Sequence, residues 1–193
     1  RNLKNDEITS KDVGPGNCLI NDWIQNHTNK KFDSEGKISD RGKINEIILE
    51  QALESYENNF SKRNNISLDT NDFDISFARG LSLEDGASTL TELTSNIISS
   101  SLLDNFIKFK IKPIEILLCG GGRKNKILIK KIKEKISANI IIKPVDEYGI
   151  DGDFIESQAF AFLAIRSFKK LPLTFPDTTG CCQPVSGGDI VGN

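Results

Sequence analysis

The sequence predicts an α/β domain, and two observations carry that prediction. A short apolar run, Ile114 to Leu118, breaks at Cys119-Gly120-Gly121-Gly122; an amphipathic stretch, Asn125 to Ser137, and a second apolar run, Asn139 to Pro144, follow. Strand, glycine turn, helix and strand make a βαβ unit, whose strands are expected to be parallel with a right-handed crossover. The remaining apolar residues recur mostly at the three-and-four spacing of helices that bury one face.

Taken in order, residues 1–11 are polar and carry little pattern. Asp12-Val13-Gly14-Pro15-Gly16-Asn17 signals a tight turn, and Leu19, Ile20, Trp23 and Ile24 then mark a helix with Asn17 as its expected N-cap. A second helix is expected from about Asp40 to Phe60, with Ile44, Ile47, Ile48, Ala52 and Tyr56 on its buried face. Residues 61–79 suggest a loop with short extended pieces. Ser82-Leu83-Glu84-Asp85 resembles a capping box opening a long helix to about Phe109, whose buried stripe is Leu83, Ala87, Leu90, Thr94, Ile97 and Ile98. After the βαβ unit, Asp153 is expected to cap a final helix to Phe168 whose Ala and Phe residues pack on the sheet. The tail, 171–193, is rich in Pro, Thr and Gly and should run over the surface. No internal repeat is evident.

Composition narrows the function. Net charge is −2 with 25 basic and 27 acidic residues, which argues against a nucleic-acid binder. The basic residues of Lys130 to Lys133 alternate with isoleucines and suggest a solvated helix face. No apolar run approaches the ~18 residues of a membrane span, so no membrane partner is expected. The four cysteines form no CxxC pair and are expected as reduced thiols of a cytoplasmic protein. With His27 the only histidine, zinc chemistry is not expected. The chain has no Met and begins at Arg1, so it is expected to be a fragment or a processed chain.

Three segments could carry chemistry. In Asp12 to Asn17, small residues let backbone N–H groups approach an anion at a helix start, and the aspartate could take a proton from a nucleophile; an ordinary Asx-type turn fits the same residues. Cys119 to Asn125 follows a strand with three consecutive glycines, which permit a flat ligand to lie on the main chain. A tight turn is the alternative, and neither the dinucleotide nor the Walker glycine spacing is met. In Gly149 to Ala164, Glu156 could bind a ligand or complete a capping box with Asp153.

Together, DVGPGN, CGGGRKN and ESQAFAFLA resemble the phosphate loop, adenosine loop and C-terminal helix of the anhydro-N-acetylmuramic acid kinases. Supporting matches are Ser67 to Phe73, Leu81 to Thr91 and Leu171 to Pro176, so the resemblance runs from about Asp12 to the end. It implies that residues 1–193 form the RNase H-like C-terminal lobe of an actin-like ATPase, with 171–193 an extended surface tail and the N-terminal lobe absent from this chain. It implies ATP, with Mg2+, as phosphate donor and anhydro-N-acetylmuramic acid as substrate. Water opens the 1,6-anhydro ring, and O6 is phosphorylated to give N-acetylmuramic acid 6-phosphate in peptidoglycan recycling. By the same resemblance Asp12 is the catalytic base, Gly14 and Gly16 lie by the phosphates, and Gly120, Gly121, Gly122 and Asn125 line the adenosine side. Glu156 faces the sugar, and a homodimer is a possible assembly. Val13, Lys11 and Ser157 depart from the family pattern, and the Ser-Gly-Thr-Ser-x-Asp-Gly loop of the first lobe is not in this chain. A lobe without that loop should not catalyse the reaction alone. The alternatives are a diverged nucleotide-binding module of the same fold and another actin-like sugar kinase.

Overall fold

The computed structural model describes residues 10–61, 68, 70–108, 110, 115–136 and 139–191. Its helices are α1 (Cys18–His27), α2 (Glu46–Tyr56), α3 (Leu83–Lys108), α4 (Lys126–Lys135), α5 (Ile155–Phe168) and α6 (Pro176–Thr179), with strands β1 (Glu115–Leu118) and β2 (Ile141–Pro144) on either side of α4. The strands pair in parallel, Glu115 opposite Ile141 and Leu118 opposite Pro144, as the βαβ reading expects. The fold is therefore mixed α/β with a small parallel sheet.

Helix α3 is the axis of the molecule. Ser82 Oγ accepts the Asp85 amide at 3.1 Å and starts it. From Gly86 to Thr91 every residue is buried. Small side chains make that possible. A Cβ at Gly86 would stand 2.2 Å from the Trp23 ring, so glycine admits the indole of α1 against the α3 backbone. Trp23 Nε1 donates to the Leu83 carbonyl at 2.9 Å, and the His27 ring stacks on the indole with centroids 3.9 Å apart. The buried hydroxyls of Thr89 and Thr91 donate to carbonyls one turn back, which satisfies them without a partner helix. Leu19, Ile20, Trp23 and Ile24 of α1 all enter this core, as their spacing predicts.

Helix α2 corrects one expectation. It starts at Glu46 rather than near Asp40. Asn45 Oδ1 accepts the Ile48 amide at 3.1 Å, whereas Ser39–Arg41 is a separate 3-10 turn. The reason is Gly42, where a Cβ would lie 1.9 Å from the Glu84 carbonyl oxygen: the chain is extended there and presses on the start of α3. Asp85 then receives the Lys43 amide at 2.7 Å, and Thr89 Oγ1 the Asn45 amide at 3.0 Å. With the start shifted, Leu49 and Ala52 face the core, and Ile47 is 70% exposed instead of buried. Between 61 and 79 the described residues form 3-10 turns at Thr70–Asp72 and Ser76–Ala78; the matching segment from Ser67 to Phe73 lies partly outside the described residues.

Helix α4 is capped by Asn125, whose Oδ1 accepts the Leu128 amide at 3.1 Å, and its Leu128 and Ile132 pack with Ile136 and Ile142 in a second core cluster. Lys131 and Lys135 are not simply solvated. They clamp Glu92 of α3 at 2.7 and 2.5 Å. Burial pushes the Glu92 carboxyl up, but hydrogen bonds and charge from the two lysines outweigh it and hold it below its ordinary value.

Helix α5 breaks the expectation of core packing: none of its residues is buried, and Phe160 and Phe168 are each 72% exposed. Nor does Asp153 cap it. Phe154 holds the N-cap position without a side-chain bond, because the Asp153 carboxylate is bound to Arg123 and Lys124. The tail folds back on itself. Leu173 donates to Val185 at 2.8 Å, Thr174 and Val185 form an antiparallel bridge, and α6 lies between them.

Candidate functional site

The Asp12–Asn17 turn is held from several sides. The Tyr56 hydroxyl donates to the Val13 carbonyl, and the Cys18 amide donates to the Pro15 carbonyl at 3.0 Å. A Cβ at Gly14 would stand 2.7 Å from Ile97 Cγ2, so glycine lets the turn lie directly on α3. Gly16 has φ +54 and open space around it. Asp12 is exposed, and its Oδ2 accepts the Leu68 amide at 3.1 Å.

Asn17 does not act as the cap its position predicts. Its backbone is already helical (φ −87, ψ −6), so its side chain makes no bond to the first turn of α1. Instead it faces the triple-glycine turn: a Cβ at Gly122 would lie 3.9 Å from Asn17 Cγ. The Asp12–Asn17 turn and the turn after β1 are therefore neighbours, with this side chain between them.

In the second turn, Gly120 has φ +75, and a Cβ on Gly120 or Gly121 would meet nothing within 4 Å. The main chain there is bare, as an approaching ligand requires. Asn125 is 3% exposed, and a Cβ on Gly36 would crowd its Oδ1 at 2.5 Å. Five buried side-chain polar atoms have no hydrogen-bond partner among the described residues: Asn21 Oδ1, Thr94 Oγ1 and Ser99 Oγ lie elsewhere on α1 and α3, and Asn17 Oδ1 and Asn125 Nδ2 belong to the two turns. Such atoms are costly unless a ligand or water satisfies them. An acceptor in one turn and a donor in the other, beside open glycine backbone, suit a polar ligand such as a nucleotide.

Glu156 is exposed in the first turn of α5. Its link to the site is indirect: the Gly120 amide donates to the Gly152 carbonyl at 3.1 Å, which brings the loop before α5 onto the glycine turn. No hydrogen bond or ion pair joins Glu156 to Asp12 among the described residues.

One residue escaped the sequence reading. Arg123, its side chain 6% exposed, donates from Nε and Nη2 to both oxygens of Asp146 at 2.7 and 2.9 Å, and from Nη1 to Asp153 at 2.7 Å and to the Gly120 carbonyl at 3.0 Å. The Asp146 carboxyl is held well below the usual carboxylate range, chiefly by its hydrogen bonds from Arg123, and Asp153 is lowered by Arg123 and then Lys124. The available signal was an arginine directly behind three glycines, with Asp146, Asp151 and Asp153 clustered downstream. A cavity of about 440 Å³ also touches Arg123, between β1, β2 and α4, where Leu118, Ile129 and Ile142 line it; the three glycines and the Asp12–Asn17 turn lie outside its lining.

Among the described residues no helix is long and apolar enough to cross a membrane, and no group of three His, Cys, Asp or Glu side chains is placed to hold a metal ion. The four cysteines are free thiols.

Comparison with known proteins agrees with the motifs. The family model described as anhydro-N-acetylmuramic acid kinase matches residues 3–193. Relatives named anhydro-N-acetylmuramic acid kinase include one from Pelagibacter ubique, 47% identical over 98% of this chain and 50% of its own length. Those from Zymomonas mobilis and Methylorubrum extorquens are 34% and 39% identical, over 95% and 93% of this chain and 48% and 45% of their own lengths. The chain thus spans about half the length of the curated relatives it matches. With nearly every residue inside the matched family region, this chain belongs to the anhydro-N-acetylmuramic acid kinase family.

Proposed function

We propose that the protein containing this chain is an ATP-dependent sugar kinase that opens the 1,6-anhydro ring of anhydro-N-acetylmuramic acid with water and phosphorylates O6. Residues 1–193 supply its nucleotide-binding side as an RNase H-like lobe of an actin-like ATPase, and the other half of the relatives' length supplies the opposing lobe. The observation that carries this reading is the contact of Asn17 with Gly122, which puts the phosphate-loop turn and the glycine turn side by side, each with an unsatisfied buried amide atom. Two turns so placed can hold opposite ends of one nucleotide.

In this reading Asp12, exposed at the mouth of its turn, takes a proton from the water that attacks the anomeric carbon. The C1–O6 bond breaks, and O6 attacks the γ-phosphorus as ADP leaves. Backbone N–H groups at Gly14 and Gly16 lie by the phosphates, and the start of α1 adds its positive end. Gly120, Gly121, Gly122 and Asn125 hold the adenosine side, and Glu156 faces the sugar. Mg2+ would enter with the phosphates and neutralise their charge. Peptidoglycan recycling in the cytoplasm, by a homodimer, is the setting consistent with this chemistry.

The test is ATP-dependent formation of N-acetylmuramic acid 6-phosphate by the full-length protein. Asp12→Asn should lower kcat by at least about 100-fold, the lower end of what a positioned base contributes. Unchanged turnover in that variant would remove Asp12 from its role.

A further inference from the structure

Glycine turns are deformable. Three consecutive residues without Cβ have access to more conformations than any other tripeptide, and fixing them costs more entropy. This molecule fixes them with one side chain. The Arg123 guanidinium bonds the Gly120 carbonyl at 3.0 Å, closing the turn it belongs to. The same planar group grips Asp146, in the 3-10 turn after β2, with two parallel bonds, and Asp153, in the loop before α5, with a third. The Gly120 amide reaches across to the Gly152 carbonyl in that loop at 3.1 Å. Gly152 is fitted to the guanidinium: a Cβ there would stand 2.4 Å from Arg123 Nε and 2.6 Å from Cζ. Three chain segments thus converge on a cation that is itself almost wholly covered.

A surface ion pair would not need this arrangement. A rigid fork with its donors directed at four acceptors sets position and angle together, which a lysine cannot do. None of the four acceptors is a group of the Asp12–Asn17 turn, and a Cβ on Gly120 or Gly121 would still meet open space. We propose that Arg123 is a positioning residue for nucleotide binding: it holds the Gly120–Gly122 backbone in its ligand-ready shape without touching the nucleotide. Gly152 and Asp153 are parts of the same device, and through them the turn is tied to the start of α5 that carries Glu156. This inference rests on the reading of the glycine turn as the adenosine side of an ATP site.

The experiment measures ATP affinity by calorimetry, and KM for ATP and for sugar separately, in the full-length protein and its Arg123→Lys, Asp153→Asn and Gly152→Ala variants. Arg123→Lys and Gly152→Ala are expected to raise Kd and KM for ATP about tenfold, with sugar KM within twofold; Asp153→Asn, which leaves the Asp146 fork intact, is expected to raise them about threefold. Combining Gly152→Ala with Arg123→Lys should give little more than either alone, since both disrupt one contact. Folded variants that bind ATP as the parent does, with only Tm reduced, would overturn the proposal and leave Arg123 a stability element. Absence of ATP binding in the parent protein would instead overturn the nucleotide reading beneath it. If Gly152→Ala does not fold, Arg123→Lys and Asp153→Asn still decide.

Discussion

Helices α3 and α5 are both rich in residues that would ordinarily be buried, yet one is enclosed from Gly86 to Thr91 and the other buries nothing. The difference lies in what packs on them: α1, α2 and α4 contact α3, whereas Ala159, Ala161 and Ala164 of α5 are exposed like its rings. Gly86 lets the Trp23 ring come within contact distance of the α3 backbone, and the Thr89 hydroxyl closes on its own helix. In α5 the large rings of Phe160 and Phe168 project from the helix, and no described element covers them. Enclosure here is a property of what approaches a helix, and a small residue such as Gly86 only sets how near a neighbour comes.

The comparison can be broken most forcefully at Trp23. Trp23→Ala should cost about 3–5 kcal/mol in urea unfolding followed by circular dichroism, since it empties the space between α1 and Gly86. A loss below about 1 kcal/mol would mean that α3 is not the axis of the fold.

A smaller effect is expected at Glu92, which ties α3 to α4. Its carboxyl is depressed in the folded state, so its contribution is present above the unfolded carboxylate pKa of about 4.3 and fades as pH falls through the lower folded value. Glu92→Gln should therefore cost about 1–2 kcal/mol at neutral pH, between the exposed and buried ion-pair ranges, and lose less stability than the parent as pH falls below about 4.3. Parallel acid titrations of parent and variant would contradict the clamp.

The smallest effect belongs to α5. Phe160→Ala should change the stability of this chain by no more than about 0.5 kcal/mol while reducing its binding of a hydrophobic dye. A large destabilisation would show that the α5 face is covered after all.

What was readable in the sequence follows the same division. Periodicity located α1, α3, α4 and the parallel pair, because a helix or strand facing one core repeats its apolar residues at a fixed interval. It misplaced the start of α2, since the obstacle is the backbone of α3 against Gly42, remote in sequence. It likewise gave α5 a buried face, because spacing records an apolar side chain but not whether anything meets it. At the candidate site the two turns were recognisable from their glycines and their order. The place of Asn17 between them was not, and neither was the role of Arg123, whose partners lie 23 and 30 residues downstream. Local rules assigned Asn17 and Asp153 to caps; a helical backbone at Asn17 and the long-range ion pairs of Asp153 overrode them.

The Trp23–His27 pair also gives the molecule an internal reporter. Trp23 is the single tryptophan in the sequence, so all indole emission comes from one dry position in α1. That helix begins immediately after Asn17. Any movement of the first turn that tilts α1 against α3 will alter the ring's stacking and its spectrum, so the nucleotide binding proposed above can be tested in unlabelled protein by its own fluorescence.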